Sequence, residues 1–195
     1  MPRVITYFLA LLVALSTAAI GQTFETDQLP AAKRSRLGLY LSSPQAYAMK
    51  QREGDKLLFV DVRTRAEVMY LGTPTVTDAV VPLVNPVGGF TVWDEAKETF
   101  KTDLNEGFVA ELEKRLAQRH LTRTDPIVLM CRSGDRSARA INMLLTDRGY
   151  TKVYSVVDGY EGDLSKAGRR DVNGWKNAGL PWTYELDKAK VMPAK

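Results

Sequence analysis

Ile127-Val128-Leu129-Met130-Cys131-Arg132-Ser133-Gly134-Asp135-Arg136-Ser137 is the stretch on which the fold turns. Its first four residues are apolar without alternation, the pattern of a short strand buried on both faces. The run stops at a cysteine and a polar loop containing a glycine. Beyond the loop, Ala138, Ile141, Leu144 and Leu145 fall on one face of a helix that Arg148-Gly149 closes. Val153 to Val157 then reads as another strand. Strand, loop, helix and strand within about 30 residues make a βαβ unit, so the expected architecture is α/β with a parallel sheet.

Working outward, Leu57-Leu58-Phe59-Val60-Asp61-Val62 is a second buried-type strand. Ser43-Pro44 predicts a helix start, with Ser43 as cap and Pro44 at the first helical position, and the helix continues from Gln45 to Arg52 and ends near Gly54. Ala79 to Val84 predicts another strand, in which Pro82 implies an edge or irregular position. Residues 86–107, with Pro86, Gly88-Gly89 and Trp93 among mixed charges, read as a long loop or excursion with a little local structure of its own. Helical spacing returns at Phe108, with Val109, Leu112 and Leu116 on one side, and Asp125-Pro126 ends it. From Gly159 to Lys195 the chain is rich in glycine and charge, with Trp175 and Trp182 expected to anchor it on the body.

The 195 residues suffice for one hydrophobic core and make two full domains unexpected. Hydrophobic residues at 45% and charged residues at 26% fit a globular domain. The net charge of +4 is scattered, apart from groups such as Lys33-Arg34 and Arg169-Arg170, so no nucleic-acid partner is expected. Arg3, the apolar run Val4 to Leu15 and the small residues Ser16 to Gly21 have the layout of a secretory signal. That apolar run is shorter than the roughly 20 residues of a membrane span, so no stable insertion is expected after cleavage. The expected organisation is a signal at 1–21, a lead-in at 22–41, one domain at 42–185 and a tail at 186–195. Export, to the periplasm if the signal is a bacterial one, follows as an expectation.

One cysteine and one histidine, His120, exclude a protein-only Cys/His zinc site and any internal disulfide. A lone cysteine is commonly an inert buried thiol. Cys131, however, lies where a parallel strand gives way to a helix, the position at which open α/β sheets bind ligands. The helix dipole, the unpaired amides and the curl allowed by Gly134 favour an anion there, and hence the thiolate. Arg132 and Arg136 add fork-shaped donors suited to an oxyanion. Such a pocket fits sulfur transfer or phosphate and arsenate chemistry. Four residues separate Cys131 from Arg136, one fewer than the phosphatase loops that wrap a tetrahedral phosphate, which favours sulfur transfer.

The segment Cys131-Arg132-Ser133-Gly134-Asp135-Arg136-Ser137 resembles the active-site loop of the rhodanese homology domain in its C-R-S-G-x-R-S form. Leu58-Phe59-Val60-Asp61-Val62-Arg63 with Glu67 resembles the family's D-V-R-x-x-x-E segment. Val157-Asp158-Gly159-Tyr160-Glu161-Gly162 and Gly174-Trp175-Lys176-Asn177-Ala178-Gly179-Leu180-Pro181-Trp182 resemble its glycine-containing stretch and its G-W-x-x-A-G-L-P close. The match spans roughly residues 43–183. The family's G-H-I-P-G-A-x-N segment is replaced by Asp78-Ala79-Val80-Val81-Pro82-Leu83-Val84-Asn85.

The resemblance implies a rhodanese-like α/β fold, a central parallel sheet of about five strands flanked by helices on both faces. It implies a sulfurtransferase in which Cys131 carries sulfane sulfur as a persulfide, from a small sulfur-containing anion such as thiosulfate to cyanide, a thiol or a protein acceptor. No metal or organic cofactor is implied. Arg132 is expected on the substrate anion, and Arg136 either on the anion or pinning the loop to a carboxylate. Ser133, Gly134, Asp135 and Ser137 are expected to act through backbone N–H groups, Ser137 also through its hydroxyl. Asp61 and Arg63 are expected to form a supporting charge network beneath the site. Phe90 and Trp93 either line a substrate wall or pack the excursion, and His120 reads as a surface residue. A binding module without turnover, or an oxyanion enzyme such as a phosphatase or arsenate reductase, are the competing expectations.

Overall fold

The computed structural model describes residues 23–193, so the signal expected at 1–21 lies outside the described residues. In chain order the elements are β1 (Tyr40–Leu41), α1 (Ser43–Glu53), β2 (Leu58–Asp61), α2 (Arg65–Leu71), β3 (Thr73–Pro74), β4 (Ala79–Val80), β5 (Val84–Pro86), β6 (Trp93–Asp94), β7 (Thr99–Phe100), β8 (Thr102–Leu104), α3 (Phe108–Gln118), β9 (Ile127–Met130), α4 (Asp135–Ala140), β10 (Val153–Val156) and β11 (Trp182–Thr183). Five of them form the central sheet in the order β1-β10-β9-β2-β4. All four pairings in it are parallel. This is the expected α/β architecture.

The uniform apolarity of β2 and β9 follows from burial on both faces. Leu58, Val60, Ile127 and Leu129 face one core with Phe108, Leu112 and Leu116 of α3 and Ala140 of α4. Phe59, Val128 and Met130 face the other, with Ala46 and Met49 of α1 and with Trp175. The period of two sorts neighbouring residues to opposite layers. Trp175 is fully buried, meeting Tyr47 and Phe59 edge-on at centroid distances of 5.7 and 5.6 Å. Trp182 lies in β11, which pairs antiparallel with β3.

Four local expectations change. The cap of α1 is Ser42, which with Gln45 forms a capping box, while Ser43 is helical and its hydroxyl donates to Asp158. The strand expected over Ala79 to Val84 divides: β4 ends at Val80, and Val84 begins β5. Pro82 has no N–H for a ladder, and its carbonyl accepts from Asn105 Nδ2 instead. The excursion at 86–107 is structured: β5 pairs antiparallel with β8, and β6 with β7 across a turn. Edge-to-face packing of Phe100 on Phe90 and Trp93 holds that turn together. Finally, the helix through Ala138 and Leu145 is not uniformly α. It widens to a π-helix over Ile141–Leu145, where the Thr146 hydroxyl takes the Ile141 carbonyl, before a 3-10 turn and Gly149.

The outer edge of β4 is covered rather than left open. Val80 donates to Lys190 O and accepts from Met192 N, and the Met192 side chain is buried in the core. Arg65 also donates to the Met192 and Pro193 carbonyls. An uncovered edge would present unpaired backbone groups to other chains. Replacing Met192 by Ala is expected to cost about 2 kcal/mol, the lower end for a buried methionine because its segment packs at the sheet edge, measured by urea denaturation.

Candidate active site

The register places three strand ends side by side. Asp61 lies level with Met130, and Ser155 level with Leu129. The chain therefore emerges from β2 at Val62-Arg63, from β9 at Cys131 and from β10 at Val157-Asp158 on one edge of the sheet. Cys131 is fully buried. The Gly134 N–H donates to its sulfur at 3.1 Å. Asp135 Oδ1 lies 3.6 Å from the sulfur and accepts the S–H, and Ser137 Oγ lies 3.8 Å away. The Ser137 hydroxyl donates to Gly134 O at 2.9 Å and meets Ser155 Oγ at 2.8 Å, tying the loop to β10. Ser133 Oγ donates to Asp135 Oδ1 at 3.4 Å.

The loop after β10 backs this loop along the main chain. Tyr160 N donates to Cys131 O, and Glu161 N and Gly162 N both donate to Arg132 O. Two glycines permit the approach. Gly134 has φ 98°, and a Cβ on it would run into Val157 O. Gly159 has φ 61°, and a Cβ there would meet Arg132 C and Ser133 N at 2.5 Å. Asp158 fixes the second loop in turn, accepting from Ser43 N, Ser43 Oγ and Gly174 N. Burial pushes the Asp158 carboxyl above its ordinary range, against these hydrogen bonds.

The charged residues divide by burial. Arg136 makes a bidentate pair with Glu67, both contacts at 2.6 Å, so it pins the loop to a carboxylate. Glu67 also accepts from the Thr64 N–H and hydroxyl in the capping box of α2. Burial alone would raise the Glu67 carboxyl. The Arg136 and Thr64 bonds outweigh it and hold the group at about 2. Arg132 pairs through Nε with Glu161 at 2.6 Å, and its side chain stays 43% exposed. Beneath the loop, Asp61 and Arg63 form a fully buried ion pair. Arg63 also donates to Gly72 O and lies over the Tyr160 ring at 3.8 Å.

A cleft of about 790 Å³ opens above the loop, lined by Arg132, Ser133, Asp135 and Arg136 on one side. Tyr70 of α2 and Phe90 and Phe100 of the excursion form its wall, with Arg170 at its border. Phe90 thus both packs the excursion and lines the wall, whereas Trp93 packs behind Phe100. His120 is exposed at the end of α3, away from this cleft. Sequence reasoning missed Arg170, Phe100, Asp158 and the pairing role of Glu161, although Asp158 and Glu161 stand in the glycine-containing stretch. Among the described residues, no three His, Cys, Asp or Glu side chains converge to hold a metal ion.

A buried cysteine cradled at the C-terminal edge of a five-stranded parallel sheet defines a class of loop-centred α/β domain. The sequence profile of the Rhodanese-like domain matches residues 44–166, and the chain belongs to that family. An uncharacterized protein of Rickettsia rickettsii, an RP600 homolog, is 31% identical over 144 residues, covering 74% of this chain and 96% of that protein. The crystal structure of Rv0390 from M. tuberculosis is similar with a TM-score of 0.52 and 29% identity, over 75% of this chain and 97% of that one. A looser likeness is to the polysulfide-sulfur transferase homodimer from Wolinella succinogenes, with a TM-score of 0.42 and 20% identity over 78% of this chain and 82% of that one.

The Glu67–Arg136 pair gives stability a pH dependence. Because the folded carboxyl sits at about 2, below its ordinary 4.5, its contribution is complete above about pH 4.5 and is lost as pH falls toward 2. Glu67→Gln should lose on the order of 2 kcal/mol at neutral pH and flatten the acid limb, read from denaturation midpoints across pH 2–7.

Proposed function

We propose that the protein is a sulfurtransferase in which Cys131 carries sulfane sulfur as a persulfide. The observation behind this reading is the seat of the Cys131 sulfur, at the end of a central strand with the Gly134 N–H on it at 3.1 Å. A backbone donor aimed at the sulfur stabilises negative charge there. Membership of the rhodanese-like family supports the same chemistry.

In the first half-reaction the Cys131 thiolate attacks the outer sulfur of thiosulfate. The S–S bond of the donor breaks, and sulfite leaves with the electron pair, so Cys131–S–S⁻ remains. In the second, cyanide or a thiolate attacks the terminal sulfur. Thiocyanate or a new persulfide departs, and the Cys131 thiolate is restored. Asp135 Oδ1, which accepts the S–H at 3.6 Å, orients the thiol, and the proton leaves to solvent when the thiolate forms. Arg132 meets the oxyanion of the donor from the cleft side. Arg136, held by Glu67, positions the loop, with Ser133, Gly134 and Ser137 supplying donors, and Asp61 and Arg63 support the floor. On the N-terminal pattern alone, the reaction is assigned to the exported side of the membrane.

Intact-mass spectrometry after incubation with thiosulfate should show a gain of one sulfur, absent in Cys131→Ala and reversed by cyanide. No adduct from any sulfane donor would overturn the reading. Arg132→Ala should raise the KM for thiosulfate about tenfold with a smaller change in kcat, the loss of one charge-assisted contact to the donor.

A further inference from the structure

We infer that the Asp135 carboxylate is a charge-operated gate over Cys131: it covers the sulfur while the thiol is neutral and swings to Arg139 when the sulfur becomes an anion. The inference rests on the sulfurtransferase reading and adds the control of access to that same site. Burial and chemistry disagree at Cys131. Its side chain is fully buried and does not line the cleft, whereas Asp135 is exposed and does. A persulfide sets a second sulfur about 2 Å beyond the first, so a group beside Cys131 has to give way.

Three polar groups lie on the sulfur, those of Gly134, Asp135 and Ser137. Two of them are fixed. Gly134 packs its main chain on Val157, and Ser137 Oγ is tied to Gly134 O and Ser155 Oγ. The Asp135 carboxylate is held by the S–H itself at 3.6 Å and by the Ser133 hydroxyl at 3.4 Å, long for a hydroxyl on a carboxylate. Once the proton has gone, two anions face each other at that distance and repel. Asp135 also borders a second cavity, of about 430 Å³, which α4 and the lead-in line with Ala31, Arg34 and Arg139. Of the cations on the two cavities, Arg132 is taken by Glu161 and Arg136 by Glu67. Arg170 donates to Gly162 O, and Arg34 to Leu29 O and Asp27 O. Arg139 donates through Nε to Met143 Sδ at 3.2 Å and has no anionic partner among the described residues. It stands four residues after Asp135 on α4, the spacing at which an acid pairs with a following base along a helix.

Alkylation of Cys131 by iodoacetamide reads access with no sulfur donor involved. Rates are compared at the alkaline plateau, where the thiol is ionised in every variant and only its cover differs. Wild-type protein and Asp135→Ala should then react within about twofold of each other, because a repelled carboxylate no longer covers the sulfur. Asp135→Asn keeps the size without the charge. Its amide N–H donates to the thiolate and stays, so alkylation should be about tenfold slower, the worth of one hydrogen bond to an anion. Arg139→Ala, on the exposed face of α4, should slow the wild-type protein about twofold and leave Asp135→Ala unchanged. Asp135→Ala reacting about tenfold faster than wild type would make Asp135 a fixed cover and overturn the inference. So would Asp135→Asn reacting as fast as wild type, or Arg139→Ala acting equally in both backgrounds. Mass spectrometry with thiosulfate separates the two readings. Alkylation in the expected order with no sulfur taken from any donor removes the sulfurtransferase and leaves the gate standing; loading without that order does the reverse.

Discussion

Main chain against main chain, between the loop after β9 and the loop after β10, is the constraint on which the site depends. Carbonyls of Cys131 and Arg132 accept from three successive amides, of Tyr160, Glu161 and Gly162. Side chains cannot intervene at that spacing, so Gly134 and Gly159 are required by contact as well as by φ. The approach is possible only because β9 and β10 are parallel neighbours that end nearly level. Asp158 then passes the constraint outward, to the first turn of α1 through Ser43 and to the closing segment through Gly174. A loop held this way keeps its amides in place before any ligand arrives, which is what an anion-stabilising site needs.

Charge is arranged in two tiers around that frame. The lower tier, Asp61 and Arg63, is wholly buried and joins the end of β2 to the turn leading into β3 through Gly72 O and Thr73 Oγ1. Removing one partner would strand the other without water, so the pair is more a condition of the packing than a source of net stability. The upper tier, Arg136 with Glu67 and Arg132 with Glu161, lies at the cleft and is only partly covered. Each of these arginines is thus balanced by a carboxylate from another element, Glu67 in α2 and Glu161 in the loop after β10.

Much of this was legible in the sequence where local pattern and tertiary environment agree. Ile127–Met130 and the start of α3 at Phe108 fall where apolar runs and helical spacing put them, because burial on both faces leaves an unalternating run and a single buried face leaves a stripe. The motif of Cys131 to Ser137 marked the candidate site for the same reason: a strand end, a glycine and a helix start coincide there. Ser42 lost to Ser43 as expected cap because two adjacent serines carry the same signal, and the choice is made by Asp158, 115 residues away. The excursion was opaque because its strands are two or three residues long and are paired by Phe90, Trp93 and Phe100 rather than by any period. Arg170 and Phe100 border the cleft through connections no spacing encodes.

Glu67 carries one further consequence. One carboxylate closes the capping box of α2 at Thr64 and clamps Arg136 on the neighbouring loop. Aspartate is one methylene too short to keep both sets of bonds, and glutamine offers one acceptor oxygen in place of two. Positions 64, 67 and 136 therefore form one unit: a change at Glu67 loosens the start of α2 and the Cys131 loop together.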